Sequence, residues 1–421
     1  MRGREHAGPQ EARKEPQGRE RAREDMREEA RAGSGRGVVR LLAAAVAVMA
    51  LLGLALRPAP QWEFAFVSPP PAGEADPPFF RTVLDLRAPG RTMHSPSILR
   101  AAQPRLIWFE GSREAARDVR IMAAELGGDG SGPVRVAPLL AAGQIGGAMR
   151  PRQAVLVLGN TLQADPDDSD RLLATVLSVG GWAAASVAEV RLREGTVASA
   201  RKLALSPFLN RSYLVRNRVL RLADGDIAVP AYFEMGNAFG VLVRLDRQGR
   251  VRASSRIGSG KVAIQPAVVV TGPETAVALM RPFDGTRQLY RAETRDGGRS
   301  WSRPAPLAGV PNPDAPVAAL RLDDGRILMA FNDDPRRASD LTLAVSDDGG
   351  RSWKRIARLE ESGREAPAVY RYPDLARLDD GSFLLAYSTF AKGGIRAHRF
   401  NMAWILEQER KQGDSRSRAE R

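Results

Sequence analysis

From about residue 80 to residue 406 short apolar runs alternate with Asp-Gly and Gly-Gly turns, and no long stretch keeps the 3.6-residue period of an amphipathic helix. Three segments repeat one another: Leu222-Ala-Asp-Gly-Asp-Ile-Ala-Val, Leu322-Asp-Asp-Gly-Arg-Ile-Leu-Met and Leu378-Asp-Asp-Gly-Ser-Phe-Leu-Leu. Each sets an Asp-Gly hairpin turn ahead of an apolar strand. The glycines Gly225, Gly325 and Gly381 stand 100 and 56 residues apart, which reads as two repeat units and one. A period near 50 marks a repeat architecture, and about 325 residues hold six such units. Four-stranded propeller blades have this size, and radial closure hides their edges. The predicted fold is therefore all-β, a six-bladed β-propeller over residues 79–406, with a stacked pair of sandwiches as the alternative.

The first 78 residues follow other rules. Residues 1–37 are rich in Arg, Glu and Gly without apolar periodicity, and are expected to be a disordered cytoplasmic leader. Leu41–Leu56 then runs sixteen residues without a charge, bracketed by Arg36 and Arg40 before it and Arg57 after it. With Val38 and Val39 it approaches the roughly 20 residues of a membrane span, so 38–57 is predicted to be a transmembrane helix. No small-residue cleavage site follows, which favours an uncleaved anchor over a signal peptide. Positive charge on the N-terminal side puts that end in the cytoplasm and the propeller on the periplasmic side of an inner membrane. Residues 58–78, with seven prolines, read as a linker, and 407–421 as a charged disordered tail.

Composition narrows the chemistry. The net charge is +14, but the arginines are scattered through every segment, and no helix-turn-helix, finger or aromatic-basic platform accompanies them. Nucleic acid is therefore not an expected partner. There is no Cys and there are three His, so thiol chemistry and Cys-based metal sites are excluded, and no metal or cofactor is expected. An Asp-rich loop at Asp165–Asp170 is the one candidate for calcium and is not assigned as a site. Nothing in the sequence sets an oligomeric state.

Two octets share one spacing: Thr294-Arg-Asp-Gly-Gly-Arg-Ser-Trp301 and Ser346-Asp-Asp-Gly-Gly-Arg-Ser-Trp353. They match the Asp-box pattern Ser/Thr-x-Asp-x-Gly-x-Ser/Thr-Trp. The carboxylate bonds turn amides, glycine supplies positive φ and Trp packs between strands. Further stretches carry a likeness: His94-Ser-Pro-Ser-Ile, Trp108-Phe-Glu-Gly-Ser-Arg-Glu-Ala-Ala-Arg-Asp-Val119, Leu158-Gly-Asn160, Ser178-Val-Gly-Gly-Trp182, Val229-Pro-Ala-Tyr-Phe-Glu234, Gln265-Pro266, Pro311-Asn-Pro313, Tyr372-Pro-Asp-Leu375 and Arg396-Ala-His-Arg-Phe-Asn401. With the boxes, they make residues 90–402 resemble the sialidase-like (BNR/Asp-box repeat) family, in the group labelled predicted neuraminidases.

The resemblance implies a sialidase-type exo-glycosidase site: arginines on the sugar carboxylate, a tyrosine nucleophile and an acid/base carboxylate. Tyr372 falls where the nucleophile is expected. Arg281, thirteen residues before Thr294, matches one clamp arginine, and Arg337, nine before Ser346, a second, with Arg336 as its competitor. Two positions depart from the pattern. His94 stands where the first clamp arginine belongs, and Gln265, sixteen before Arg281, replaces a carboxylate; an amide cannot act as a base. Substitutes exist in Asp118 or Glu114 as acid/base beside Arg113 and Arg117, and in Glu234 as support for Tyr372. Arg396 joins the binding candidates beside His398 in the closing strand. Two functions follow: an exo-α-sialidase-like hydrolase acting on cell-envelope or extracellular glycans, or a non-catalytic glycan-binding or envelope-assembly propeller, which the changes at His94 and Gln265 support.

Overall fold

A computed structural model describes residues 41–49, 62–66 and 77–419, except 102, 128–133, 207–210, 259, 364–367 and 390–392. The expected leader 1–37 and much of the expected span 38–57 lie outside these residues. Residues 41–49 form a short helix, α1, and no helix among the described residues is long and apolar enough to cross a membrane.

From residue 62 onward the described strands form six sheets. Blade I runs outward from β2 (Thr92–Leu99) through β3 (Arg105–Gly111) and β4 (Arg120–Glu125) to β5 (Arg135–Ala141). Blade II is β6 (Val157–Asp165), β7 (Asp168–Leu177), β8 (Ser186–Arg193) and β9 (Thr196–Lys202), with the short helix α2 (Ala142–Ala148) ahead of it. Blade III has a split inner strand, β10 (Tyr213–Val215) and β11 (Leu220–Arg221), followed by β12 (Ile227–Phe233), β13 (Phe239–Leu245) and β14 (Val251–Ile257). Blade IV comprises β15 (Ala263–Val270), β16 (Ala276–Pro282), β17 (Gln288–Thr294) and β18 (Ala305–Pro311). Blade V comprises β19 (Ala318–Arg321), β20 (Ile327–Phe331), β21 (Asp340–Ser346) and β22 (Lys354–Glu361). In blade VI, β23 (Arg371–Arg377), β24 (Phe383–Thr389) and β25 (Gly394–Phe400) are completed by the N-terminal strand β1 (Phe80–Arg87).

Radial closure is direct. The inner strands touch in sequence, from β2 to β6, β10, β12 with β15, β19, β23 and back to β2. β1 pairs antiparallel with β25 from Phe80↔Phe400 to Arg87↔Gly394, so both ends of the propeller chain share one sheet. The six-bladed propeller stands and the sandwich alternative falls. Middle strands such as β13, β21 and β24 are buried at every position, because each lies between two neighbouring blades. That is why they are mostly apolar, with a few buried polar residues such as Arg244 and Asp340, while the outermost β5, β14 and β18 mix exposed and buried positions.

The sequence repeats fall on equivalent turns. Gly225, Gly325 and Gly381 (φ 86°, 90° and 83°) close the turns between the first and second strands of blades III, V and VI. The two Asp boxes link third to fourth strands in blades IV and V. In the first, Asp296 accepts from the Ser300 N–H at 2.9 Å, Thr294 Oγ1 accepts from the Gly298 N–H at 2.9 Å, and Trp301 Nε1–H donates to the Gly298 carbonyl at 3.2 Å. The second repeats this with Asp348, Ser346 and Trp353. Desolvation raises the Asp348 carboxyl, but bonds from Ser352, Ser346 and Arg351 hold it down to about 2.

Two stretches depart from expectation. Residues 62–66, inside the stretch read as a linker, dock between blades III and IV with Trp62 and Phe64 buried. Phe64 N–H donates to the Pro273 carbonyl at 2.7 Å and Ala65 N–H to the Arg221 carbonyl at 2.9 Å. A Cβ on Gly297 would lie 1.5 Å from the Trp62 carbonyl oxygen, so the Asp-box glycine makes room for this strap. The segment 407–421, read as a disordered tail, continues α3 (Met402–Ala419) as far as it is described. Asn401 Oδ1 caps the helix through the Trp404 N–H at 3.0 Å, Ile405 is buried, and Arg326 grips both Glu409 oxygens at 2.7 Å.

Because Phe64 is 1% exposed in a close-packed seam, Phe64→Ala is expected to cost about 3–5 kcal/mol. Guanidinium unfolding should show a lower midpoint with an unchanged slope. A loss below about 1 kcal/mol would show that the strap is not integral to the fold.

Candidate functional site

The innermost strands of four blades break register near their starts: between His94 and Ser97, Leu158 and Thr161, Ile264 and Ala267, and Arg371 and Asp374. At three of these breaks a residue preceding proline takes a left-handed backbone: Ser95 (φ 55°), Gln265 (φ 53°) and Tyr372 (φ 56°). Ser212 (φ 67°) and Asp314 (φ 55°) do so just ahead of β10 and β19. Such residues each cost on the order of 1–3 kcal/mol and gather where a site needs them. A bulge re-aims the side chains that an ordinary strand would send into the blades.

The bulges surround a cavity of about 230 Å³ whose lining includes Tyr372, Gln265, Arg281, Glu234, Glu114 and Asn160. The cavity and the Asp boxes lie at opposite ends of the blades. In blade IV, Ile264 pairs with Arg281 at one end, while Val270, Ala276 and Thr294 meet at the other. The strap at 62–66 docks at the Asp-box end, through Pro273 and Gly297.

Tyr372 stands on the first bulge of blade VI. The His94 ring meets it edge-on at 4.0 Å, and the Arg216 guanidinium lies 5.3 Å from its ring centroid. Arg216 also donates to the Pro373 carbonyl at 2.8 Å, which pins the bulge. Among the described residues Tyr372 Oη makes no hydrogen bond. Asp374, two residues on, is turned away: it accepts from the Ile98 N–H at 2.7 Å and Arg218 at 3.3 Å, tying blade VI to blade I. Ser95 Oγ donates to Asn160 Oδ1 at 2.7 Å, joining blade I to blade II.

Three arginines converge on this tyrosine, and among the described residues none has an ion-pair partner. Arg216, Arg281 and Arg371 each keep a buried Nε–H without a hydrogen bond. Burial works against the charge of Arg216, opposed by Asp374 and by the Tyr372 and Tyr232 hydroxyls. Burial likewise works against the charge of Arg371, which Tyr372 favours, Arg281 opposes as a like charge, and Asp314 and Glu114 favour from a distance. Arg281 reaches only an amide, Gln265 Oε1 at 3.4 Å. Elsewhere buried arginines are paired, as Arg171 is with Glu189 at 2.6 Å and Arg244 with Asp226 at 2.7 Å. Arg281 and Arg371 are half-buried with no described carboxylate at ion-pair distance, so an anion held between them would gain charge-assisted bonds.

Two carboxyl groups share the cavity. Burial raises Glu234, while Arg281 lowers it and Glu114 raises it further. Glu114 precedes Ala115, which is itself left-handed at φ 62°. Tyr232, behind Gln265, receives its Nε2–H at 3.1 Å, and burial with the charge of Glu234 holds its phenol up and neutral. Trp182 forms one wall. A Cβ on Gly159 would lie 2.8 Å from the Trp182 ring, so only glycine lets that wall close.

The remaining candidates sit elsewhere. Asp118 accepts from the Ser112 N–H and hydroxyl at 2.9 Å each, which lowers its pKa, and it lines a neighbouring cavity with Arg113. Arg337 is exposed on the loop between β20 and β21 and does not line the central cavity. Arg396 lies in the outer part of blade VI, held by Asp85 at 3.0 Å and by Glu360. His398 beside it bonds Tyr387 Oη at 2.7 Å and Thr82 at 3.1 Å, and burial followed by Arg396 pushes it down to about 4. The Asp165 carboxylate faces Arg171 and Arg221, and among the described residues no cluster of His, Asp or Glu could hold a metal. Sequence reading missed Arg216 and Arg371. Arg371 adjoins Tyr372 on the same bulge and was open to inference; Arg216, in an irregular stretch between β10 and β11, had no signal.

The description "BNR repeat-like domain" fits residues 105–385. No curated protein sequence matches the chain. Among solved structures, the Hadza microbial sialidase Hz136 is similar at 14% identity and TM-score 0.58, over 75% of this chain and 66% of that one. The chain thus spans just under two thirds of that sialidase. The intramolecular trans-sialidase from Ruminococcus gnavus, in complex with oseltamivir carboxylate, is similar at 12% identity and TM-score 0.57, covering 74% of this chain and 95% of that one. A Dyadobacter fermentans protein of unknown function matches at 14% identity and TM-score 0.56, covering 76% and 99%. At these identities the likeness concerns the fold.

The raised Glu234 carboxyl makes a stability prediction. Its folded pKa lies above the unfolded value of about 4.3, so its protonated form favours folding and that contribution fades as pH rises through the folded pKa. Glu234→Gln should therefore raise Tm at pH 8 and leave it unchanged near pH 4. Equal shifts at both pH values would contradict the assignment.

Proposed function

Since this chain belongs to the BNR repeat-like domain family and, among the described residues, sets Arg281 and Arg371 near Tyr372 without an ion pair, we propose that its central cavity binds the carboxylate of a terminal acidic sugar and hydrolyses its glycosidic bond. The unpaired arginines carry this reading. A sugar carboxylate bridging Arg281 and Arg371 would receive charge-assisted bonds at a desolvated site. Tyr372 Oη then attacks the anomeric carbon, with its proton passing to Glu234, whose burial makes it a stronger base than an exposed carboxylate. Glu114 gives a proton to the departing glycosidic oxygen, and afterwards takes one from the water that releases the sugar from Tyr372, while Glu234 returns its proton to the departing Tyr372 oxygen. Gln265 orients Arg281 and Tyr232 in place of acting as a base.

The amide at Gln265 and the bond-free Tyr372 Oη favour a second reading, a glycan-binding propeller without turnover. One panel separates the two. Aryl glycosides of sialic and uronic acids, given to the purified protein, should be cleaved by the wild type. Tyr372→Phe should be at least about 10³-fold slower. Saturable binding by both proteins with turnover by neither would establish the binding reading.

The membrane reading rests on sequence: an uncharged run over 41–56 with arginines on either side, whose residues 41–49 are helical. We propose a single-pass inner-membrane anchor over 38–57 with the propeller on the periplasmic side. The full chain should remain in membranes after alkaline carbonate extraction, and protease added to spheroplasts should digest the propeller. Release by carbonate would contradict it.

A further inference from the structure

Beside the central cavity lies a second and larger one, of about 540 Å³. Its walls come from the two segments that also wall the first. The β3–β4 loop gives Glu114 to the central cavity and Arg113, Arg117 and Asp118 to the second; the chain after β7 gives Trp182 to the central cavity and Ser178 and Val179 to the second. The two spaces therefore adjoin across Glu114 and Trp182. The left-handed Ala115 makes this possible, because it separates Glu114 from its successor at the partition.

The position of Glu114 assigns the second space a role. A group that protonates a glycosidic oxygen must stand between the sugar being cleaved and the unit that leaves. With the acidic sugar on the Arg281–Tyr372 side, the departing unit falls beyond Glu114. The lining there suits a sugar ring with a negative charge. Val157 and the 58%-exposed Val179 offer apolar surface, and Arg113 and Arg117 are exposed cations. Asp118, the carboxylate at this site, is bound to Ser112 through both oxygens.

We propose, building on the reading of the central site, that the second cavity seats the leaving-group side of the glycan and takes a sugar unit bearing an anionic substituent, a uronate or a sulfate ester. Heparin-derived disaccharides, each a uronate joined to a sulfated hexosamine, supply that chemistry and are the probe. They are titrated calorimetrically into the full chain, into Arg113→Ala/Arg117→Ala and into Arg193→Ala/Arg303→Ala, which removes two exposed cations elsewhere. The expected result is saturable binding by the wild type that weakens with salt, a loss of about tenfold in the first double variant, and a change within about twofold in the second. Equal losses in the two variants would mean diffuse attraction to a basic protein and would overturn the proposal, as would no binding by the wild type. Failure of the central reading shows separately, as undiminished turnover by Tyr372→Phe, and leaves the comparison of the two double variants decisive.

Discussion

Gathering three buried or half-buried arginines around one tyrosine, with no ion pair to any of them among the described residues, works against folding, and the architecture is arranged so that it can be done. Arg216, Arg281 and Arg371 come from blades III, IV and VI and meet only because the ring is closed. Closure rests on β1 pairing with β25, and on inner strands that touch their neighbours around the axis. The bulges then turn Tyr372 and Gln265 toward the axis at a backbone cost. Both expenses fall at the same end of the blades, while the Asp boxes and the Trp62–Phe64 strap bind the opposite end.

This division of labour explains how the site departs from the sialidase-like pattern. Where that pattern implies a first clamp arginine there is His94, packed against the Tyr372 ring, and where it implies a carboxylate there is Gln265. The positive charge is not lost but relocated: Arg371 lies next to the tyrosine in sequence, and Arg216 beneath it in space. The negative charge is relocated too, to Glu234 at the end of β12 and Glu114 on the β3–β4 loop. The set differs from the sialidase-like pattern in which residues supply the charges.

Much of the fold was legible because turn chemistry is local. Asp-Gly turns at Gly225, Gly325 and Gly381 and two Asp boxes fixed both the repeat and its length, and each proved to occupy equivalent places in its blade. The site was only half legible. Tyr372, Arg281, Gln265, Glu114 and Glu234 do line one cavity, whereas Arg337 is exposed and Arg396 is bound to Asp85 and Glu360 in the outer part of its blade. Counting back from an Asp box put Arg281 on β16 but Arg337 on the exposed β20–β21 loop, and a motif alone does not say which side of a strand Arg396 takes. The strap was hidden for a related reason: seven prolines in 58–78 outweighed the Trp62-x-Phe64 pair that the blades bury.

The central claim is that the arginines at the propeller axis await a carboxylate. Calorimetric titration of the protein with N-acetylneuraminic acid and glucuronic acid, each beside its methyl ester, tests this without requiring turnover. The account predicts that at least one free acid binds saturably and that its ester, equal in shape but without the charge, binds about tenfold or more weakly. Acid and ester binding alike, or neither acid binding at all, would contradict it.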